Sequence, residues 1–163
     1  MGPDGKMYSR MLGGNLVRID VENARGENLT NGDLVGTKDG SAYGLVFDPQ
    51  DENVFYFSNN DKHCIYKYDL RTKECACWAG QEGKSGYLDG PIGQAMFNKP
   101  GQMCVDSEGN IILTDTENHC IRKITMSTGY VSTLAGKPQN SGYVNGSAED
   151  AQFKKPLGIC IDN

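Results

Sequence analysis

The sequence has no apolar stretch long enough to cross a bilayer as a helix. Such a helix needs about 20 consecutive apolar residues, and no run within the 163 residues comes close to that length. The opening residues MGPDGKMYSR also lack the apolar core of a secretory signal peptide. The sequence therefore predicts no transmembrane segment, and no signal peptide is visible in it.

Motifs of the common enzyme classes are missing as well. The chain contains no GxSxG, no HExxH and no P-loop, and it has only two histidines. Its formal net charge is -5, and an acidic balance argues against a nucleic-acid backbone as the main partner. The sequence thus names no catalytic residue and predicts no nucleic-acid partner.

Amphipathic helical periodicity is absent over any useful length, whereas glycine is abundant, with 21 residues. Turn residues instead separate short β-branched runs, which is the pattern of strands joined by tight turns. Four such runs follow one another in residues 102–106, 111–115, 120–124 and 130–135, here called runs a, b, c and d. The pattern predicts an all-β fold.

These runs recur at a fixed spacing of 56 residues, which marks a repeat architecture. The His-Cys pair at His63 returns at His119, and the loop GYLDG at 86–90 returns as GYVNG at 142–146. Four antiparallel strands per unit, repeated around an axis, form the blades of a β-propeller. The sequence therefore predicts a β-propeller.

The repeat divides the chain into blades. Residues 1–41 are expected to form an incomplete, degenerate blade and 42–100 and 101–156 two complete ones, while 157–163 begin the first strand of another. Run d of the incomplete blade is expected within 29–35, and a short helical turn near 148–153. Because propellers close by joining their first and last blades, we expect the missing blades to come from a longer chain or from homodimerisation.

Residues 100–124, PGQMCVDSEGNIILTDTENHCIRKI, resemble the NHL repeat. Pro-Gly precedes an apolar inner strand, a Glu-Gly-Asn turn leads into a strand that ends in Asp, and Asn-His-x-Ile-Arg follows. The further signature TLAG…GYVNG…AQFKKPLGICID is similar to NHL propellers of bacterial cell-surface proteins, many of which follow an IPT/TIG domain. The resemblance implies a ring of about six blades, of which this chain supplies half, and an extracellular, cell-surface or periplasmic location.

The resemblance also implies a function, although one fold can carry many functions. It implies a non-catalytic recognition module that binds a protein or a glycan. The alternative is a metal-dependent propeller hydrolase, lactonase or lyase, which would hold a cation on the propeller axis. The predicted contacts to a partner are Tyr87 and Tyr143, each in a Gly-Tyr-x-x-Gly loop, where packing on a neighbouring blade is the competing role.

Acidic residues recur just after the inner strands, at Asp48, Asp106 and Asp162. Each carboxylate can cap the turn between runs a and b, or the set can form a ring that holds a divalent cation such as Ca²⁺. Turn capping is favoured, and no cofactor is expected.

The remaining motif residues are expected to be structural: His63, His119, Asp115, Asn118, Pro100 and Pro156. The histidines lie too far from the axis to share a zinc ion, and each is expected to fix the turn between runs b and c through hydrogen bonds. The prolines stop the connections before the inner strands. The repeat-equivalent cysteines are expected to act as small buried hydrophobes.

Overall fold

The chain folds into three antiparallel β-sheets, and the computed structural model describes residues 6–10, 15–30 and 43–162 of it. The first sheet contains β1 (Met7–Arg10), β2 (Leu16–Asp20) and β3 (Arg25–Asn28). The second contains β4 (Leu45–Phe47), β5 (Val54–Asn59), β6 (Cys64–Asp69) and β7 (Cys75–Ala79). The third contains β8 (Gly90–Pro91), β9 (Pro100–Val105), β10 (Ile111–Asp115), β11 (Cys120–Thr125) and β12 (Tyr130–Ala135). The predicted all-β fold with four-stranded antiparallel units is confirmed.

Strand order within the sheets follows the order of the runs. The second sheet is ordered β4-β5-β6-β7, and the third repeats this order as β9-β10-β11-β12. The short strand β8 joins the third sheet at its outer edge, where Pro91 faces Tyr130. Because β8 belongs to the connection after the second sheet, residues from one unit complete the outer edge of the next.

Three details differ from the sequence predictions. The last strand of the first sheet is β3, at Arg25–Asn28, before the predicted range 29–35, of which 31–35 lie outside the described residues. The predicted helical turn near 148–153 is limited to one turn, closed by the Ala151 N–H donating to the Ser147 carbonyl at 2.9 Å, after which Gln152 pairs with Val144 in an isolated bridge. A 3₁₀ turn at Thr116–Asn118 was not anticipated. It is the only helix among the described residues, none of which form a helix able to span a membrane.

The sheets bury their faces against one another. One core cluster joins the second sheet to the third and includes Tyr56, Ile65, Leu113 and Ile124. A second cluster joins the first sheet to the second, with Leu16 and Phe57 among its members. All six residues of β5 are buried, as expected for a strand covered on both faces. The face-to-face stacking of these sheets positions the turns and connections described below.

Each four-stranded unit is followed by a connection that folds back as a small hairpin. The first connection hairpin comprises residues 86–97 and the second comprises residues 142–153. Isolated bridges close them between Leu88 and Met96 and between Val144 and Gln152. The two connections therefore share one backbone architecture.

Glycine is required where each connection leaves its sheet. Gly80 and Gly136 have φ values of +94° and +97°, which disfavour side chains. A Cβ at Gly80 would lie 2.9 Å from a ring carbon of Phe97, and one at Gly136 would lie 2.9 Å from Phe153. The ring of each connection hairpin thus packs directly on the glycine that starts its connection.

Candidate functional site

A buried arginine joins the first connection hairpin to the third sheet. The side chain of Arg122 is 0% exposed. Its Nη1 donates to Asp115 Oδ2 at 2.7 Å and to the Met96 carbonyl at 3.2 Å. Its Nη2 donates to Asp89 Oδ1 at 2.7 Å and to the Leu88 carbonyl at 2.9 Å. Two carboxylates and two carbonyls therefore surround one guanidinium, which is the arrangement that a buried cation needs.

Aromatic rings cover the same guanidinium. The Arg122 carbon Cζ lies 4.8 Å from the ring centre of Tyr87 and 5.2 Å from that of Phe97, within the range of cation–π attraction. The Tyr87 hydroxyl is 2.7 Å from Thr133 Oγ1, and Asp89 accepts from the Thr133 N–H at 3.1 Å. The hairpin is thus held by both β11 and β12 of the third sheet.

The carboxylate of Asp115 stands at the centre of this group, here called the Arg122 cluster and made of Arg122, Asp115, Asn118, Asp89 and Tyr87. The Asn98 N–H donates to Asp115 at 2.8 Å, and Asn118 Nδ2 donates to it at 2.9 Å. Burial raises the pKa of the Asp115 carboxyl, while Arg122 and these hydrogen bonds oppose the rise. Asn118 also donates to the Gly86 carbonyl at 2.8 Å, so the 3₁₀ turn is tied to the same hairpin.

The sequence of β11 contains a signal for the Arg122 cluster that the division into runs did not reveal. Run c reads CIRKI at residues 120–124, with Arg122 and Lys123 as its two charges. Burial in β11 alternates through Cys120, Arg122 and Ile124, because successive strand residues point to opposite faces. Arg122 shares its face with two apolar residues, and that parity alone indicates a buried arginine.

Tyr143 occupies the position of Tyr87 in the second connection hairpin, but its surroundings differ. Tyr143 is 83% exposed, whereas Tyr87 is half-buried under Arg122. The Nζ of Lys154 lies 5.9 Å from the ring centre of Tyr143. Of the two predicted partner contacts, only Tyr143 presents its ring to solvent, and both remain predictions.

The recurring aspartates lie where the chain turns after the inner strands. Asp48 Oδ2 accepts from the Tyr56 hydroxyl at 2.7 Å, and its Oδ1 accepts from the N–H two residues on. Asp106 accepts from the Asn110 N–H at 2.8 Å. Burial opposes ionisation of Asp106, but the Asn110 hydrogen bonds and Lys123 lower its pKa to about 2. Asp162, in contrast to Asp106, is exposed.

The histidines tie each sheet to the start of the next inner strand. His63 and His119 have φ values of 55° and 59°, in the left-handed region that histidine tolerates better than most residues. The Nδ1 of His63 accepts from the Lys99 N–H at 3.1 Å, and the Nδ1 of His119 accepts from the Lys155 N–H at 3.1 Å. Burial, together with the charge of Lys99, lowers the pKa of His63.

These lysines immediately precede the predicted stop residues Pro100 and Pro156. Thr116 Oγ1 donates to the Pro156 carbonyl at 2.9 Å, which holds the chain after the second connection hairpin against the third sheet. Within residues 6–10, 15–30 and 43–162, no group of three His, Cys, Asp or Glu side chains is arranged to hold a metal ion.

All six cysteines are free thiols, and their burial is unequal. Cys64 and Cys120 are buried, whereas Cys160 is exposed. Cys64 and Cys77 interact across β6 and β7, and the hydrogen bond between them lowers the pKa of the Cys77 thiol and raises that of Cys64. The expectation of small buried side chains therefore fits Cys64 and Cys120, whereas the other repeat-equivalent pair departs from it, because Cys104 is partly buried and Cys160 is exposed.

A groove of about 640 Å³ runs between the turns of the second and third sheets. One wall is the turn between β4 and β5, and the other comprises the turns that flank β10 and β11 in the third sheet. The lining residues are Asp48, Pro49, Gln50, Glu108, Gly109, Asn110, Lys123, Thr125, Met126 and Ser127. Lys123 Nζ lies 3.0 Å from Asp106 and 3.4 Å from Glu108, so its charge is balanced inside the groove.

Comparison with known proteins matches this geometry to one repeat family. The NHL repeat profile matches residues 97–124, the stretch that contains the Arg122 cluster's Asp115, Asn118 and Arg122. The bovine NHL repeat-containing protein 2 is 29% identical over 104 residues, which is 63% of this chain and 14% of that protein.

Solved structures extend the likeness to nearly the whole chain. A Bacteroides thetaiotaomicron protein of unknown function has 28% identity and a TM-score of 0.86, over 96% of this chain and 39% of that one. An auxiliary nutrient binding protein from the same organism has 27% identity and a TM-score of 0.74, over 96% and 40%. The chain thus spans well under half of the length of these relatives. The chain thus contains an NHL repeat at residues 97–124, and its strand order and structural relatives agree with a fold of the β-propeller type.

Proposed function

We propose that the chain is part of a non-catalytic recognition module, an NHL propeller platform that binds a glycan or a protein. The observation that carries the proposal is the groove between the turns of the second and third sheets. Its volume of about 640 Å³ falls within the range of about 300–1,000 Å³ that is usual for ligand sites. Turns that are held by rigid strands are the part of a fold that most often carries binding.

The chemistry of the groove favours a glycan over a protein. Gln50, Asn110 and Ser127 supply donors and acceptors for sugar hydroxyls, and Glu108 supplies an exposed carboxylate. Pro49 and Met126 add apolar surface on which the carbon face of a sugar ring can rest. A protein partner would need a wider surface of about 800 Å² on each side.

The nutrient-binding relative supports the same reading, since its fold covers nearly all of this chain at 27% identity. The proposal includes a location at a bacterial cell surface, extracellular or periplasmic, where glycans occur. It also includes the repeat units 1–41, 42–100, 101–156 and 157–163 as blades of a larger ring. Tyr143 stays a predicted partner contact, and a metal-dependent enzyme stays the alternative.

A glycan array followed by calorimetric titration of the best ligand tests the proposal. The groove variants are Glu108→Gln, which keeps the size of the side chain, and Ser127→Ala. The matched control is Glu22→Gln, which removes the same charge from an exposed turn of the first sheet. Each groove variant is expected to weaken binding about tenfold, the loss typical of one hydrogen bond to a ligand.

The control variant is expected to bind as well as the original chain. If no glycan binds, or if the groove variants and Glu22→Gln retain the same affinity, the groove is not the recognition site and the proposal fails.

A further inference from the structure

We propose that Cys64 and Cys77 are a redox modification site, a pair of thiols that hydrogen peroxide and related two-electron oxidants convert to a disulfide across β6 and β7. The pair lies in the second sheet, away from the residues that line the groove. The inference therefore goes beyond glycan recognition and does not depend on it. Both cysteines are free thiols in this structure, so the disulfide would be a product of oxidation.

A β-bulge brings the two cysteines to one face of the second sheet. The pairing of β6 with β7 shifts between Ile65 and Tyr66, so that β7 contains one extra residue there. Tyr66 pairs with Cys77, and Cys64 lies two positions before Tyr66. Because alternate residues of a strand point to the same face, Cys64 and Cys77 are diagonal neighbours on that face. Both pack in the cluster that joins the first sheet to the second.

Gly80, at which the first connection leaves the second sheet, lies against both cysteines. The Cys77 thiol donates to the Gly80 carbonyl, with 3.8 Å between Sγ and the oxygen. A Cβ at Gly80 would lie 3.2 Å from the Cα of Cys64. The two thiols are also hydrogen-bonded to each other. The folded chain thus already brings the side chains together, as disulfide formation requires.

The surroundings give the two thiols different roles. The hydrogen bond from Cys64 lowers the pKa of the Cys77 thiol, and the Glu82 N–H adds to this effect, while burial and the charge of Glu82 oppose it. The same hydrogen bond, together with burial, raises the pKa of Cys64. Cys77 is half-buried, whereas Cys64 is buried. An oxidant therefore meets Cys77 first, and Cys64 is the resolving thiol.

The repeat provides an internal comparison. Cys64 corresponds to Cys120, which is also buried, so a small side chain at this place serves the packing of both sheets. Cys77 corresponds to Thr133, whose Oγ1 lies 2.7 Å from the Tyr87 hydroxyl. The third sheet has the same bulge at this point. The fold of the unit therefore needs no sulfur at residue 77, and the second thiol distinguishes the second sheet from the third.

The oxidation takes place in two balanced steps. The Cys77 thiolate attacks one oxygen of hydrogen peroxide, the O–O bond breaks, and uptake of one proton gives a sulfenic acid and water. The Cys64 thiol then attacks the sulfenic sulfur, so that the S–S bond forms and the S–O bond breaks. The thiol proton leaves with the hydroxide as a second water. Two thiols lose two electrons in total, and the peroxide is reduced to two waters.

Oxidation of the folded chain with equimolar hydrogen peroxide tests the proposal. A Cys160→Ser background removes the exposed thiol, and the remaining thiols are alkylated in denaturant before digestion with trypsin. Cleavage after lysine places Cys64 in peptide 63–67 and Cys77 in peptide 74–84. Mass spectrometry is expected to find these two peptides joined with the loss of two hydrogens, and dithiothreitol is expected to separate them.

Variants identify the reacting sulfurs. Cys77→Thr introduces the residue that the third sheet has at the equivalent place, and it is expected to abolish the link. Cys75→Ser is the matched control, since Cys75 lies on the same strand and in the same peptide, and it is expected to keep the link. In Cys64→Ala the sulfenic acid has no resolving thiol, so dimedone is expected to label Cys77.

The link should also stabilise the fold, because it closes the loop 64–77 in the unfolded chain. The equilibrium constant of unfolding in urea is expected to fall about a hundredfold relative to the reduced chain, as for other loops of this length. Circular dichroism of each variant establishes that it is folded before oxidation.

Four outcomes overturn the proposal. The first is a folded chain whose peptides 63–67 and 74–84 stay separate after oxidation. The second is a link that forms only in urea, because the fold then does not bring the sulfurs together. The third is a link that survives Cys77→Thr and disappears in Cys75→Ser, which would assign the reaction to Cys75. The fourth is an oxidised chain less stable than the reduced one, since the folded geometry would then oppose the bond.

Discussion

Replacement of Arg122 by methionine removes the cation from the Arg122 cluster and keeps an apolar stem of similar length. The variant leaves the Asp115 carboxyl, which is 0% exposed, without its ion pair. Asp89 is less affected, because its side chain is 35% exposed and water can solvate it. The largest single effect of the variant is therefore expected to be one uncompensated buried charge.

The magnitude follows from the burial of the pair. Removing one partner of a buried ion pair costs about 3–5 kcal/mol in unfolding free energy. Four hydrogen bonds and two cation–π contacts are lost with the guanidinium, which supports the upper part of that range. Without Arg122, burial is opposed only by the hydrogen bonds from Asn118 and Asn98, so the pKa of Asp115 rises further. The folded variant then holds a proton that the unfolded chain releases, so its deficit is smaller at pH 5 than at pH 8.

Urea unfolding at pH 5 and pH 8, followed by circular dichroism, measures both effects. Asp115→Asn in the Arg122→Met background is expected to recover part of the loss, because it removes the unpaired charge. Arg18→Met is the surface control, since Arg18 and Glu27 are 34% and 61% exposed and such pairs contribute about 1 kcal/mol or less. A loss below about 1 kcal/mol for Arg122→Met, or a further loss on adding Asp115→Asn, would refute the reasoning.

Three further predictions concern single positions. Gly80→Ala is expected to lower the free energy of unfolding by about 1–2 kcal/mol for its backbone angle and by a further 1–3 kcal/mol or so for the clash with Phe97. Gly83→Ala, with φ +76° and no atom within 4 Å of the added Cβ, is expected to lose only the part due to the backbone angle. Equal losses for the two variants in urea unfolding would contradict this prediction. The pKa of Asp106 is lowered from 3.8 to about 2, so its contribution to stability is present above about pH 4 and lost as the pH falls towards 2. In Asp106→Asn the urea unfolding midpoint should therefore depend less on pH between 4 and 2. If the midpoint depends on pH as steeply as in the original chain, the Asn110 hydrogen bonds are not the cause. Because the pKa of His63 is lowered, its contribution to stability is present above pH 6.5 and declines as the pH falls below that value. His63→Asn should remove this decline in the urea unfolding midpoint. An NMR titration that gives His63 an ordinary pKa would disprove the cause.

The strands could be predicted from the sequence because turn residues and β-branched runs repeat. Run d matched β12 residue for residue, and run b matched β10. Run a was placed at 102–106, whereas β9 covers Pro100–Val105, since the prediction took Pro100 as a stop. In the structure Pro100 begins the strand, a position that suits a residue without an N–H, and Asp106 turns out of it.

The candidate sites were harder to predict, because they depend on contacts between units. A repeat shows that Tyr87 and Tyr143 are equivalent, but it cannot show that one ring is covered by Arg122 and the other is open. Asp89 and Asn145 differ at one atom, and only the position of Arg122 Nη2 shows why the difference matters. The groove is likewise made by two units whose turns lie far apart in sequence.

The outer strand β8 gives the assembly of this chain a direction. The residues that complete the outer edge of the third sheet are made before that sheet, and they already lie in a hairpin when its strands form. During synthesis, each unit can therefore fold onto an edge that the preceding unit has prepared, so that growth proceeds from the amino end and needs no later residues to begin. A deletion of the first connection would remove β8, the template of the third sheet. A deletion after residue 156 would leave that template in place.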